Sequence, residues 1–170
     1  MKDSLPAGKA ARGLKNPVAK NILSALAIAF FGFILLNLTF LFDFLFQSLV
    51  RRLFMLFLPI DNPEMSYNWW PPMMQGLFLI VIGLTTWLVF RSKLSVLYKA
   101  IFLTVPTAAV LATIGIILFH WPVAVYSLGG LLIIAVLYYF YRSRQPWLYY
   151  YSVILIGLAL AIFTLAGGEI

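Results

Sequence analysis

The chain has no cysteine, one histidine and five acidic residues among its 170, and charged side chains of either sign make up only 10% of it. Each shortage removes a class of chemistry. Without cysteine there is no disulfide framework, no thiolate metal site and no cysteine nucleophile. The single histidine, His120, leaves no His-x-x-x-His pair and no second axial ligand for a bis-histidine haem, and no nucleophile elbow accompanies it for serine-hydrolase chemistry. Asp61, Glu64, His120 and Glu169 could meet on one side of the molecule as oxygen and nitrogen ligands. Their spacing fits no metal motif, and turn-forming, solvated residues are the plainer reading. No metal and no cofactor is therefore expected, and no catalytic set stands in register.

Apolar residues are what the chain has in abundance. They make up 64% of it, with a mean hydropathy of +1.00, where a soluble domain has about 45–50% apolar and about 25% charged residues. Uncharged runs of about 18 residues or more recur, the length that matches about 30 Å of hydrocarbon at about 1.5 Å per helical residue. The expectation is an all-α, polytopic integral membrane protein: a basic cytoplasmic tail over 1–20, then a single membrane domain over 21–170. The tail carries five Lys/Arg against one Asp, a net +4. The apolar run behind it is longer than a signal-peptide core and has no small-residue cleavage site at its end, which predicts an uncleaved first span.

Five transmembrane helices are expected, over about 21–42, 73–90, 100–119, 123–141 and 148–165. Ser24, Ala25, Ala29 and Gly32 give the first a face of small residues, Gly76 and Gly83 do so for the second, Ala108 and Ala112 for the third, and Gly157 and Ala161 for the fifth. Pro106 predicts a kink in the third span, with Thr104 or Thr107 placed to bond freed carbonyls. Pro122 suits the first turn of the fourth. With the amino terminus inside, ten of the twelve cations fall on the cytoplasmic side and the carboxyl terminus lies outside, as the positive-inside rule requires.

The polar interest lies in the outer segment 43–72. A helix running unbroken from Asn21 to Leu58 would measure about 57 Å, nearly twice the hydrocarbon thickness, so it must bend, tilt or project. Asp43, Gln47 and Arg51 recur every four residues, with Ser48 and Arg52 alongside and leucines opposite, which predicts an amphipathic interfacial helix near 44–58. Pro59, Asp61-Asn62-Pro63 and Pro71-Pro72 mark turns, and Tyr67, Trp69 and Trp70 suit the headgroup level.

The expected working surface is Asp43, Gln47, Arg51, Arg52, Asp61, Glu64, Trp69, Trp70 and His120. Its planar guanidiniums match a lipid or isoprenoid phosphate or an anionic partner, and Asp43 serves as counter-charge to an arginine. The plainer alternative is that Arg51 and Arg52 only snorkel to headgroups and anchor a helix. Arg142 and Arg144, among the tyrosines of 138–151, read as an aromatic belt facing anionic lipid.

Few groups within the spans could handle a polar solute. The first expectation for function is a non-catalytic subunit or assembly component of a membrane complex, partnered by lipids and other membrane proteins. The alternative is a lipid- or isoprenoid-phosphate-handling protein. A third is a small-solute transporter or channel, whose mark would be a hydrated cavity reaching Asn37. Nucleic-acid binding is not expected, because the tail's cations are sparse and free of aromatics. The absence of eukaryotic sorting signals is compatible with a bacterial or archaeal cell membrane.

Overall fold

The computed structural model describes residues 17–57, 70–118 and 120–165, and every regular element among them is helical. There are five such elements: α1 (Pro17–Phe57), α2 (Trp70–Arg91), α3 (Val96–Ile117), α4 (Pro122–Arg142) and α5 (Trp147–Leu165). Four of them, α1 to α4, are long and apolar enough to cross a membrane. Asp61, Glu64 and Trp69, with the turns around Pro59 and Pro63, lie outside the described residues, as do 1–16 and Glu169.

The hairpins follow from local chemistry. Lys99 reaches back across the α2–α3 turn, and its Nζ donates to the Phe90 carbonyl at 2.8 Å. That carbonyl is one of the four that a helix leaves without intrahelical partners, at the end where a cation is favoured. Pro122 occupies the first turn of α4, as its missing N–H predicts. At the end of α4 the Gln145 and Arg144 amides return to the Phe140 and Tyr141 carbonyls at 3.0 and 3.2 Å, with Arg144 left-handed at φ 51°. This is a Schellman closure in which arginine stands where glycine is usual.

The core is α3. Of its apolar window 56% is buried, against 11% for α1 and 6% for α4, so the other helices surround it. Its packing face is small and short-chained: Ala100, Thr104, Ala108 and Ala112 are all buried. Where α1 crosses, a β-carbon on Gly32 would lie 3.0 Å from Thr104 Cγ2, so only glycine allows that approach. On α5, Val153 and Ser152 are fully buried, and the Ser152 hydroxyl lies 2.8 Å from the Ala100 carbonyl of α3 and 2.9 Å from the Leu148 carbonyl. Pro106 stays inside an unbroken α3, and the Thr107 hydroxyl donates to the Leu103 carbonyl at 2.8 Å while Thr104 donates to Ile101. The carbonyl that Pro106 frees is that of Phe102, four residues back, and the two threonines bond its neighbours rather than it.

Two expectations change. There is no break at residue 43: α1 runs as one helix of 41 residues, about 61 Å long. No proline interrupts residues 18–57 and no glycine follows Gly32 in that stretch, so nothing in the chain stops the helix there. The excess length is accommodated at the carboxyl end of α1. Phe42 and Phe46 still pack on Phe78 of α2, whereas Arg51, Arg52, Leu53 and Leu56 are exposed. The second change concerns the glycines of α2. A β-carbon at Gly76 or Gly83 would meet nothing within 4 Å, so this small-residue face is open rather than packed against another helix.

Chain alternation sets α1, α3 and α5 pointing one way and α2 and α4 the other. Lys20, Arg91, Lys93, Lys99, Arg142 and Arg144 consequently gather at one end of the bundle, and Arg51, Arg52 and His120 at the other. The sides of the helices away from α3 expose Phe30, Phe33, Phe44, Leu131 and Ile134, among other large apolar groups. A water-soluble protein does not leave contiguous surfaces of that kind uncovered, whereas hydrocarbon solvates them without cost.

Candidate functional site

Between α1, α3 and α5 lies a cleft of about 670 Å³. α1 lies close to α3 at Gly32, and the residues that α3 and α5 contribute to the cleft include the small Ala112 and Ala159, beside Leu36 and Phe40 of α1. The floor is Ile28 and Thr104, and the walls are aliphatic and aromatic. Three polar side chains line it: Asn37, Asp43 and Thr104. A second, smaller recess between α1, α2 and α3, lined by Thr39, Gln75, Phe78 and Thr113, also ends at Asp43. This carboxylate therefore stands where both spaces meet, half-buried, at the end of the bundle remote from the clustered cations.

Asp43 keeps the company that its helical row dictates, but of a different member than expected. Gln47, one turn on, donates Nε2 to both carboxylate oxygens at 3.0 Å. Arg51, a further turn along the same row, forms no ion pair among the described residues, and neither does Arg52. The nearer member of an i, i+4 row is the one in direct reach. Arg51 and Arg52 do not line the cleft, and both are exposed beyond its mouth. The row's orientation also differs from that of a helix lying on a surface. Asp43, Gln47 and Ser48 are turned partly inward, while Leu45, Leu49, Leu53 and Leu56 face outward. An upright helix in oil has this polarity, with its few polar groups hidden and its leucines displayed.

The remaining predicted residues do not join this group. His120 is exposed in the α3–α4 turn. Trp70 begins α2, and no cluster of three or more His, Asp or Glu side chains that could hold a metal exists among the described residues. No known protein family, curated protein or solved structure is significantly similar to this chain. The function must therefore be argued from the cleft. Sequence reasoning had marked Asp43 and Asn37 but not the wall of Leu36, Phe40, Ala112, Leu155, Ala159 and Phe163 that makes them a site. The one available signal was the run of small residues on α3 and α5, which reads equally well as close packing.

Chemically, the arrangement can solvate an apolar chain along most of its length and offer the Asp43 carboxylate near one end. Its volume falls within the range of about 300–1,000 Å³ usual for pockets that take one small organic ligand. It offers no nucleophile beside a base. The one hydroxyl lining it, that of Thr104, is already committed to the Ile101 carbonyl at 2.7 Å.

Proposed function

We propose that this chain is a multi-pass membrane protein that holds a lipid by its apolar chain in the α1–α3–α5 cleft. In this reading all five helices span the bilayer. α5, at 19 residues and about 28 Å, falls just short of a hydrocarbon thickness of about 30 Å. The end carrying Lys20, Arg91, Lys93, Lys99, Arg142 and Arg144 faces the cytoplasm of a bacterial or archaeal cell, where cations are retained. The observation that carries the reading is the cleft itself: about 670 Å³ of almost wholly apolar lining, against about 180 Å³ for the recess between α3, α4 and α5. The cleft does reach Asn37, as a solute pathway would. A hydrated solute, however, needs polar groups along its route, and beyond Asn37, Asp43 and Thr104 this wall has none.

The test is photocrosslinking in native membranes with a lipid carrying a diazirine in mid-chain, followed by peptide mapping. Labelling concentrated on Leu36, Phe40, Leu155 and Phe163, and lost in Ala159→Phe, supports the proposal. Labelling spread evenly over the outer faces of α2 and α4, and indifferent to Ala159→Phe, refutes it.

A second reading, a non-catalytic subunit of a membrane complex, is favoured by one observation. Gly76 and Gly83 open a smooth face on α2 that no other described residue covers, and another membrane helix could approach it closely. Gly83→Leu should abolish co-purification of a stoichiometric partner under that reading and leave lipid labelling untouched.

A further inference from the structure

Resting on the lipid-chain reading, the polar lining of the cleft restricts the head that the lipid can carry. Asn37 donates one of its two amide hydrogens back along the helix to the Phe33 carbonyl at 2.8 Å, which leaves one N–H and the Oδ1 acceptor. Thr104 spends its single hydroxyl proton on Ile101 at 2.7 Å, leaving only oxygen lone pairs. Asp43 has no proton to give when ionised, and Gln47 occupies one position on each of its oxygens at 3.0 Å. A carboxylate offers about four such positions, so acceptor capacity remains. The cleft thus presents the Asp43 carboxylate, further acceptor oxygens and one spare donor, the second Asn37 N–H, and none of its lining residues is basic.

A carboxylate or phosphate head brought to this point would meet Asp43 with like charge in a medium that screens poorly. A hydroxyl or ammonium head would find oxygens waiting. We propose that the cleft selects a single-chain amphiphile with a hydrogen-bond-donating head, a long-chain alcohol or amine, and discriminates against acid-headed lipids of equal chain, with Asp43 reading the head. This revises the phosphate expected at the arginines. Arg51 and Arg52 stand more than two turns beyond Asp43, about 12 Å or more along the axis, and serve the headgroup region rather than the bound head.

The test uses the full-length protein in nanodiscs of neutral lipid. The probes are hexadecanol, hexadecylamine, palmitate and hexadecyl phosphate, each competed against a fluorescent hexadecyl chain. The alcohol and the amine are expected to compete at least tenfold better than palmitate or hexadecyl phosphate. Asp43→Asn, nearly isosteric, should remove the advantage of the amine over the alcohol while the alcohol still binds. If only the amine or only the alcohol competes, the preferred donor is identified and the proposal stands. Equal or better competition by palmitate or hexadecyl phosphate, or an order of preference unchanged in Asp43→Asn, overturns the assignment of the head and leaves the chain reading intact. Failure of all four probes, or binding of all four unchanged in Ala159→Phe, overturns both. Thermal unfolding of each variant without probe separates lost binding from lost folding.

Discussion

Gly32 of α1 lies against Thr104 of the central helix, and their fit can be tested as a pair. Gly32→Ala would place a β-carbon 3.0 Å from Thr104 Cγ2 and 3.4 Å from its Oγ1. Carbon atoms pack best at about 3.5–4.0 Å, so Thr104 must yield by a few tenths of an ångström. It is badly placed to do so. It is fully buried, branched at Cβ and therefore stiff at χ1, and its hydroxyl is tied to Ile101.

Overpacking of this kind costs about 1–3 kcal/mol. Against it stands the gain of about 0.5–1 kcal/mol from replacing glycine by alanine in a helix. The net expectation is a loss of about 1 kcal/mol. Thr104→Ser removes the offending methyl, keeps the hydroxyl and costs about 1 kcal/mol in lost contact, by analogy with Ile→Val. In the double variant the alanine methyl occupies the space so vacated, and the pair should be about 1 kcal/mol more stable than the sum of the two single changes. Reversible unfolding in mixed micelles, monitored by tryptophan fluorescence, measures all four corners of this cycle. Additivity within about 0.3 kcal/mol, or a stabilised Gly32→Ala, would show that α1 does not press on α3 at this point.

Three further outcomes follow from other parts of the bundle. The absence of native cysteine makes single-cysteine labelling free of background. A membrane-impermeant maleimide should reach Lys93→Cys and Arg144→Cys from one side of the membrane and Trp121→Cys from the other, and labelling of all three from one side would break the five-span topology. Arg144 holds a left-handed conformation, at φ 51°, that costs a side chain about 1–2 kcal/mol. Arg144→Gly should therefore raise the unfolding midpoint, and Arg144→Val should lower it. Ser152→Ala removes one of the few side-chain hydrogen bonds that join two helices. The Ala100 carbonyl keeps its helical partner, and interhelical bonds in membranes average about 0.6 kcal/mol, so the loss should stay below about 1 kcal/mol in the same unfolding assay.

How much of this was legible in advance depends on whether the determinant was local. The hairpins at 91–96, 118–122 and 142–147 were evident because charge, proline and the ends of apolar runs all fall there. The small faces of α3 and α5 were likewise visible, and Ala108, Ala112 and Gly157 do meet neighbours. The course of α1 was not. The thickness of the hydrocarbon required so long a helix to bend, tilt or project, and the polar row after Asp43 suggested a separate interfacial helix, but a helix ends where something stops it, and residues 43–57 contain no breaker. Asp43 was assigned to Arg51 on charge, and proximity gave it to Gln47 instead. The cleft could not be read at all. It depends on how far α1 and α5 stand apart after Gly32, a distance that no periodicity encodes.

The buried clusters that join the described helices are almost wholly apolar, and Lys99 on Phe90 and Ser152 on Ala100 are two side-chain hydrogen bonds made between helices. Cohesion then comes from interlocking contours, and added electrolyte has almost nothing to weaken inside the assembly. Its integrity answers instead to the amphiphiles around it. A short, intrusive detergent that wedges into the seams will loosen it long before brine does.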